Sequence, residues 1–275
     1  MFHILHNWQP SNILLEIGPI TLYWYGLVIA IAITLAYFLI LKLSKYFQLK
    51  KDDLNDLAFW LIIWAIVGAR VYEVFLEWNY YFTNPLAIFK IWEGGLAIHG
   101  AIVFGLIYLY FFAKRRNLNF WRLSAVIAPG LALGQAIGRF GNWFNQELYG
   151  LPTNLPWAIP ISIENRVAGF IQYEYFHPTF LYESIGSLIT FIILLILIFK
   201  LKNKINLNNL GKIIFSIYLF LYSVVRFSLE FIRLDPTPEI FILRWPQIFS
   251  IITAVFALII LFTAIFKKQL TRKNN

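Results

Sequence analysis

Residues Leu188–Phe199 read LITFIILLILIF, an apolar run broken only by Thr190. A helix of this composition has no polar face to turn toward water, so it cannot be a surface helix of a soluble protein. The whole chain agrees, because 60% of its 275 residues are hydrophobic and only 13% are charged. Soluble domains average about 45–50% apolar and about 25% charged residues. The composition therefore indicates a membrane protein.

Apolar runs of this kind recur along the chain at a length that suits a bilayer. The hydrocarbon core of a membrane is crossed by roughly 20 apolar residues in a helix. Strands of a membrane β-barrel would be shorter and would alternate in polarity. The sequence therefore predicts an all-α polytopic membrane protein, built as one integral domain over residues 1–275, with seven transmembrane helices near 19–41, 57–78, 95–113, 121–139, 178–199, 212–232 and 247–266.

The basic residues cluster on every second connection between these runs. In a soluble protein a net charge of +9 would suggest a nucleic-acid partner, but here 16 of the 23 lysines and arginines follow runs one, three, five and seven. The positive-inside rule places such connections in the cytoplasm. We therefore expect an outside N-terminus, a cytoplasmic C-terminus, no nucleic-acid partner, and a small outer head of turns and short strands over residues 140–177.

The N-terminal sequence and the absence of cysteine further limit how the protein is inserted and which chemistry it can carry out. The first ten residues, MFHILHNWQP, lack the basic and apolar regions of a cleavable signal peptide, so run one is expected to serve as the insertion signal and to stay. The chain contains no cysteine. This excludes disulfides, iron–sulfur clusters and a cysteine nucleophile supplied by the protein itself.

The ionisable side chains within the apolar runs all fall in the outer half of the predicted bilayer. Such groups are costly in a membrane and indicate function by default. Their shared depth predicts one cavity open to the outer leaflet, lined by Tyr25, Arg70, Glu73, His99, Arg139, Glu183, Arg226 and Glu230. Glycines at 130, 134 and 138 form a small-residue stripe, which predicts a closely packed neighbouring helix.

Two arginines in this set suit an anionic ligand. Arg139 is three residues from Asn142, and Tyr222, Arg226, Glu230 and Arg233 follow helical spacing on one predicted face. Guanidinium groups donate paired hydrogen bonds to phosphate. The alternatives are that Arg139 only extends to the interface and that Arg226 forms a structural ion pair with Glu230.

For the other charged residues the sequence favours supporting roles. Arg70 and Glu73 are expected to form a structural pair, and Glu147 to orient Arg139 or the head. For Glu183, a pair with an arginine and other roles stay equally open.

His99 is the best-matched proton acceptor in the predicted cavity, since free imidazole has a pKa of about 6.5. A hydrogen-bonded structural role for His99 stays equally open, and for His177 an interfacial hydrogen-bonding role is favoured. Four dispersed histidines without cysteine show no metal-ligand spacing, so neither metal nor cofactor is expected.

The stretch GRFGNWFNQELYG at residues 138–150 resembles the hallmark motif of the bacterial prolipoprotein diacylglyceryl transferases. Four shorter pieces occur in the order of that family: WYG at 24–26, EGGLAIHG at 93–100, HPTFLYE at 177–183 and RFSLEFIR at 226–233. The resemblance covers essentially the whole chain. One departure is Ala101, where the family usually has a second glycine after the histidine, and we expect tighter packing there without lost activity.

The resemblance implies seven spans, a periplasmic head between spans four and five, and a position in the bacterial inner membrane. It implies transfer of the diacylglyceryl group of phosphatidylglycerol to the lipobox cysteine of a prolipoprotein, with a thioether formed and glycerol 1-phosphate released. By motif, Arg139 and Arg226 would hold the phosphate and His99 would act near the thiol. The other positions that match residues important in the family are Tyr25, Asn142, Glu147, Gly150, Glu230 and Arg233.

A membrane transporter of an anionic solute is the alternative from the residues alone. It is disfavoured because the sequence shows neither paired repeats nor matching broken helices, and the polar groups lie on one side instead of at the midplane. An intramembrane hydrolase is disfavoured too, since no G-x-S-x-G elbow is present.

Overall fold

The computed structural model describes residues 2–18 and 20–273 of the chain. Seven helices in this part are long and apolar enough to cross a membrane, which confirms the predicted fold class. They are α2 (Trp24–Leu43), α3 (Lys51–Leu76), α5 (Ile98–Arg115), α6 (Phe120–Phe144), α7 (Thr179–Leu201), α8 (Leu207–Leu229) and α9 (Trp245–Lys273).

The remaining elements are short. Helices α1 (Phe2–Asn7) and α4 (Trp78–Thr83) span less than two turns, and 3₁₀ turns occupy Ser44–Phe47, Pro85–Phe89, Ile91–Glu93 and Ile163–Asn165. Within the described residues, three antiparallel strand pairs are formed by β1 (Ile13–Ile17) with β2 (Ile20–Tyr23), β3 (Ile159–Pro160) with β4 (Tyr175–Phe176), and β5 (Glu239–Ile240) with β6 (Leu243–Arg244).

Two helix boundaries differ from the sequence prediction for identifiable reasons. Helix α2 begins at Trp24 instead of near residue 19, because the apolar residues before it pair as the β1–β2 hairpin. Helix α3 begins at Lys51, six residues earlier than its apolar run. Its first turn carries Asp52 and Asp53, whose charges favour a helix N-terminus.

The chain divides into two compact units, and each is described by itself. The first contains the residues up to Ile40 and those from Ser124 onward, and the second contains Leu41–Leu123. The single domain predicted over residues 1–275 stays a prediction.

In the second unit, α3 and α5 meet at two glycines. A Cβ on Gly100 would lie 2.0 Å from the carbonyl oxygen of Gly68, and a Cβ on Gly68 would lie 2.5 Å from the carbonyl oxygen of Gly100. Neither position can hold a larger residue without moving a backbone. This contact of small residues fixes the start of α5, where His99 lies.

In the first unit, α6 packs along α2 through the predicted glycine stripe. A Cβ on Gly130 would lie 2.9 Å from the side chain of Ile40, and one on Gly138 would lie 3.4 Å from Ile29. Half of the apolar window of α6 is buried, more than in any other of the seven helices. The stripe therefore determines which face of this buried helix is left for Arg139.

The head of turns and short strands, predicted over residues 140–177, begins at residue 145, because α6 continues to Phe144. Its apolar core joins the end of α6 to the start of α7 and contains Leu5, Trp143, Tyr149, Ile159, Ile161, Phe176, Phe180 and Leu181. The Gln146 amide donates to the carbonyl of Pro10 at 3.0 Å and accepts from the backbone N–H of Ser162 at 2.7 Å. Gln146 thus ties the N-terminal segment to the head.

Candidate functional site

A small cavity of about 10 Å³, about the room for one water molecule, opens among α6, α7 and α8 in the first unit. Two arginines and one glutamate supply its charge, and hydroxyl and amide groups supply most of the rest of its polar lining. The lining residues are Gln135, Arg139, Glu183, Ser187, Thr190, Tyr222, Val225 and Arg226. The structure therefore brings together the two arginines that the sequence singles out as phosphate ligands.

Glu183 is a shared partner of two arginines. One carboxylate oxygen pairs with Arg139, and the other lies 2.8 Å from Nη1 of Arg233. Only 5% of the Glu183 side chain is exposed. A buried carboxylate is stable as an ion only when it is paired, and two guanidinium groups supply this pairing. Of the roles that the sequence leaves open for Glu183, the structure shows the pair with an arginine.

Glu230 repeats this arrangement with Arg226, the other arginine of the cavity. Its Oε2 lies 2.5 Å from Nη1 of Arg226, and its Oε1 lies 3.0 Å from Nη1 of Arg244. The Glu230 side chain is fully buried. The ion pair between Arg226 and Glu230, which the sequence gives as an alternative to a phosphate contact, is present one helical turn apart. Each cavity arginine is thus held by a carboxylate that a second arginine shares.

The polar residues of GRFGNWFNQELYG form a hydrogen-bonded chain behind Arg139. Its Nη1 donates to Oδ1 of Asn142 at 3.4 Å, and Nδ2 of Asn142 donates to Glu147 at 2.7 Å. Glu147 therefore acts on Arg139 through Asn142, in line with the orienting role that the sequence predicts for it. Gln146, a further amide of the same stretch, binds Pro10 and Ser162 in the head instead of Arg139.

Tyr25 and Gly150 contribute through packing. A Cβ on Gly141 would lie 2.7 Å from the Tyr25 ring, so this glycine makes room for the tyrosine beside the motif. Gly150 forms an isolated antiparallel bridge with Arg233, and its N–H donates to the carbonyl of His177 at 2.9 Å. A Cβ there would lie 2.8 Å from the carbonyl oxygen of Ile232. Gly150 thus permits the close backbone approach that holds Arg233.

The prediction that Arg233 continues the helical face of Tyr222, Arg226 and Glu230 is wrong. Helix α8 ends at Leu229, and Arg233 lies in the turn beyond it. It still reaches the site, because its Nη2 pairs with Asp235 at 2.8 Å while Nη1 pairs with Glu183. Burial acts to lower the pKa of the Arg233 guanidinium, but Glu183 and Asp235 outweigh it and raise that pKa. Arg233 is a permanent cation.

In the second unit, His99 occupies the first turn of α5 and is exposed within that unit. Its ring centroid lies 6.0 Å from that of Tyr72. For His99, Arg70 and Glu73, the shared cavity stays a prediction.

Arg70 is structural, but its partners differ from the prediction. It donates at 2.8 Å to each of the carbonyls of Ile88, Gly94 and Gly95, and it stacks on Tyr81. No ion pair joins it to Glu73 in the described part of the chain. A buried guanidinium needs several acceptors, and the loop before α5 supplies them as carbonyls. Arg70 therefore fastens the loop that leads to His99.

His177 has the hydrogen-bonding role that the sequence favours. Its Nδ1 lies 3.1 Å from the hydroxyl of Tyr182, and burial lowers the pKa of its ring. Among the described residues, no group of three His, Cys, Asp or Glu side chains could hold a metal ion.

Arg244 is the residue that sequence reasoning missed. It lies outside every apolar run, so a search for charges within the spans passes over it. One signal was available: basic residues are scarce on the predicted outer connections, and Arg244 stands directly before α9. A basic residue at such a position indicates a nearby carboxylate partner, which here is Glu230.

The fold and the cavity define a multi-pass helical membrane protein whose buried carboxylates hold arginines at an internal site. A family model described as prolipoprotein diacylglyceryl transferase matches residues 12–263, and the chain belongs to this family.

Curated relatives support the assignment. The chain is 48% identical over 230 residues to a protein of Nostoc sp., covering 82% of this chain and 80% of the relative. It is 44% identical over 251 residues to a protein of Synechococcus elongatus, covering 91% of this chain and 86% of that relative. A Synechocystis sp. protein is 44% identical over 231 residues, covering 82% of this chain and 80% of that relative. All three are named phosphatidylglycerol–prolipoprotein diacylglyceryl transferase.

Proposed function

We propose that this protein transfers the sn-1,2-diacylglyceryl group from phosphatidylglycerol to the lipobox cysteine of prolipoproteins. The observation that carries the proposal is the cavity with Arg139 and Arg226, each held by a buried carboxylate, in a member of this family. Family membership favours the transferase over an anion transporter.

The phosphate of phosphatidylglycerol suits the two arginines. Nη1 of Arg226 is buried and has no hydrogen-bond partner among the described residues, although it lies 2.5 Å from Oε2 of Glu230 as an ion pair. A guanidinium group carries five N–H donors, and the pairs with Glu183 and Glu230 use only some of them, so Arg139 and Arg226 can still donate to a phosphate oxygen in the cavity.

In the proposed reaction the cysteine sulfur attacks the glyceryl carbon that carries the phosphate. A C–S bond forms, the C–O bond to phosphorus breaks, and the electron pair leaves on glycerol 1-phosphate. The leaving phosphate gains a negative charge in the transition state. Arginines already held in place stabilise this charge as it develops, and such preorganised stabilisation lowers the barrier.

The thiol must lose its proton before or during attack. A free thiol has a pKa of about 8.5, so it is mostly protonated at neutral pH. We assign His99 as the group that accepts this proton. The support is chemical: a neutral imidazole is the side chain best suited to accept a proton near pH 7, and the backbone at His99 is fixed by the Gly68–Gly100 contact.

We also propose that the protein lies in the bacterial inner membrane with its cavity open to the outer leaflet and its head outside. The support is the concentration of basic residues on alternate connections. The chain has no cysteine, so Glu164→Cys in the head and Asn203→Cys between α7 and α8 would each give one reactive thiol. An impermeant maleimide should label only the first in intact cells.

The assay for the function uses purified protein, phosphatidylglycerol vesicles and a synthetic lipobox peptide. The expected product is a peptide whose mass has increased by one diacylglyceryl group. Arg139→Ala should lower kcat by about 10²–10³-fold, the usual cost of removing one preorganised donor. Arg139→Lys should recover little of it, because an ammonium group cannot make the paired hydrogen bonds of a guanidinium group.

Arg116→Ala is the matched control, since Arg116 also pairs with carboxylates but is half exposed on the second unit. It should leave turnover unchanged. Wild-type protein that produces no lipidated peptide would refute the proposed function. Full activity of Arg139→Lys would refute the paired phosphate contact while leaving the function in place.

A further inference from the structure

Arg244 holds more of the site together than any contact of the predicted motifs suggests. It belongs to β6 and precedes the first residue of α9. Its Nη1 donates at 3.0 Å to the carbonyl oxygens of Glu230 and Arg233, and its Nη2 donates to the carbonyl of Asp235. The same Nη1 lies 3.0 Å from Oε1 of Glu230. One side chain thus contacts the whole turn that follows α8.

The contact with Glu230 has an electrostatic consequence for Arg226. A fully buried carboxylate that paired with Arg226 alone would neutralise that guanidinium and orient it toward itself. Arg244 instead neutralises part of the Glu230 charge on the opposite oxygen. Arg226 then keeps positive charge for an anion in the cavity. The arrangement matches Glu183, whose charge Arg233 shares with Arg139.

The contacts with the carbonyls have a positional consequence. The carbonyl of Glu230 lies just beyond the last residue of α8, Leu229, where no intrahelical donor remains. Arg244 satisfies it and also binds two carbonyls further along the turn. These hydrogen bonds hold Glu230 in place just beyond the end of α8. They thereby set where the Glu230 carboxylate contacts Arg226.

From these contacts we propose that Arg244 is a positioning residue that acts through Glu230, so that Glu230 neutralises less of the positive charge of Arg226 and Arg226 stays aimed at the substrate phosphate. The inference rests on the proposed function, because it assigns Arg244 a role in binding the phosphate of that reaction. Arg244 does not line the cavity, so the role is indirect.

The test compares Arg244→Gln and Arg244→Lys in the peptide lipidation assay. Arg244→Gln removes the charge and should lower kcat/KM roughly tenfold, a middle value for coupling within one ion-pair network. Arg244→Lys keeps a cation beside Glu230 and should restore at least about half of the wild-type value if charge sharing dominates. A purely structural role would affect both variants alike.

A double-mutant cycle separates action through Arg226 from a general loss of fold. In an Arg226→Ala background, Arg244→Gln should change kcat/KM by less than about twofold, because the residue it positions is gone. A further tenfold loss in that background would overturn the proposal. Equal losses in Arg244→Gln and Arg244→Lys would overturn the role of charge sharing.

Arg166→Gln is the matched control for backbone contacts. Arg166 also binds carbonyls, those of Ile161 and Ile171 at 2.8 Å, but it lies in the head. Its variant should keep wild-type kcat/KM. If wild-type protein makes no product, the proposed function fails. If wild-type protein is active and Arg244→Gln matches it, only the role of Arg244 fails.

Discussion

Replacing His99 with alanine is expected to lower kcat by about 10²–10⁴-fold at pH 7, the usual contribution of a general base. The protein should still fold, because His99 is exposed within its unit and the Gly68–Gly100 contact does not involve its side chain. The measurement is the rate of peptide lipidation by purified His99→Ala, with its elution volume and thermal midpoint compared with those of the wild type.

The pH dependence of the defect identifies the proton that His99 accepts. Near pH 9 most of a thiol with a pKa of about 8.5 is already ionised, so the variant no longer needs a base for that step. The deficit of His99→Ala relative to wild type should therefore shrink at least about tenfold between pH 7 and pH 9. An equal deficit at both values would contradict the assignment. His6→Ala, which removes a histidine that binds Ala158 in the head, should show no such dependence.

Glu183→Gln is expected to destabilise the fold and to inactivate the enzyme. The substitution keeps the shape but leaves Arg139 and Arg233 without their shared carboxylate, and only 4% of the Arg233 side chain is exposed. Breaking a buried ion pair costs about 3–5 kcal/mol. The midpoint of thermal unfolding in detergent should fall by roughly 10 °C.

Glu164→Gln makes the same chemical change at an exposed position of the head and serves as its control. Its midpoint should stay within about 2 °C of the wild type, which corresponds to less than 1 kcal/mol. If the midpoint of thermal unfolding of Glu183→Gln equals that of this control, the shared carboxylate does not stabilise the arginine pair. Activity measured well below both midpoints then separates loss of orientation from loss of fold.

The membrane architecture was predictable because it depends on composition and length. Insertion of about 20 consecutive apolar residues into a bilayer core is favourable whatever their neighbours in the sequence are. The seven spans can therefore be found by counting apolar residues along the chain. The glycine stripe of α6 was predictable for a similar local reason, since small residues four apart share one face. The β1–β2 hairpin was not, because its isoleucines and leucines read as the start of α2.

The charged residues of the candidate site could be picked out from the sequence, because a charge inside a membrane has a high free-energy cost. Their partners could not be predicted in this way. Arg139 and Glu183 are far apart in the sequence, and only the packing of α6 against α7 puts them in one ion pair. Arg233 contacts Glu183 of the cavity, but not for the predicted reason, since the end of α8 at Leu229 breaks the helical face on which it was placed. Arg70 was paired with the nearest acidic residue, whereas its acceptors are loop carbonyls.

Composition along the chain thus suffices for the number of spans, because bilayer partition acts on each segment separately. The orientation that the order of charges indicates stays a prediction. The motif spacing suffices to nominate Arg139 and Arg226. The sharing of Glu183 by Arg139 and Arg233, and of Glu230 by Arg226 and Arg244, was decided only by tertiary structure. The reason is physical: a buried carboxylate takes whichever cations the folded chain brings within a few ångströms, and sequence distance does not enter that interaction.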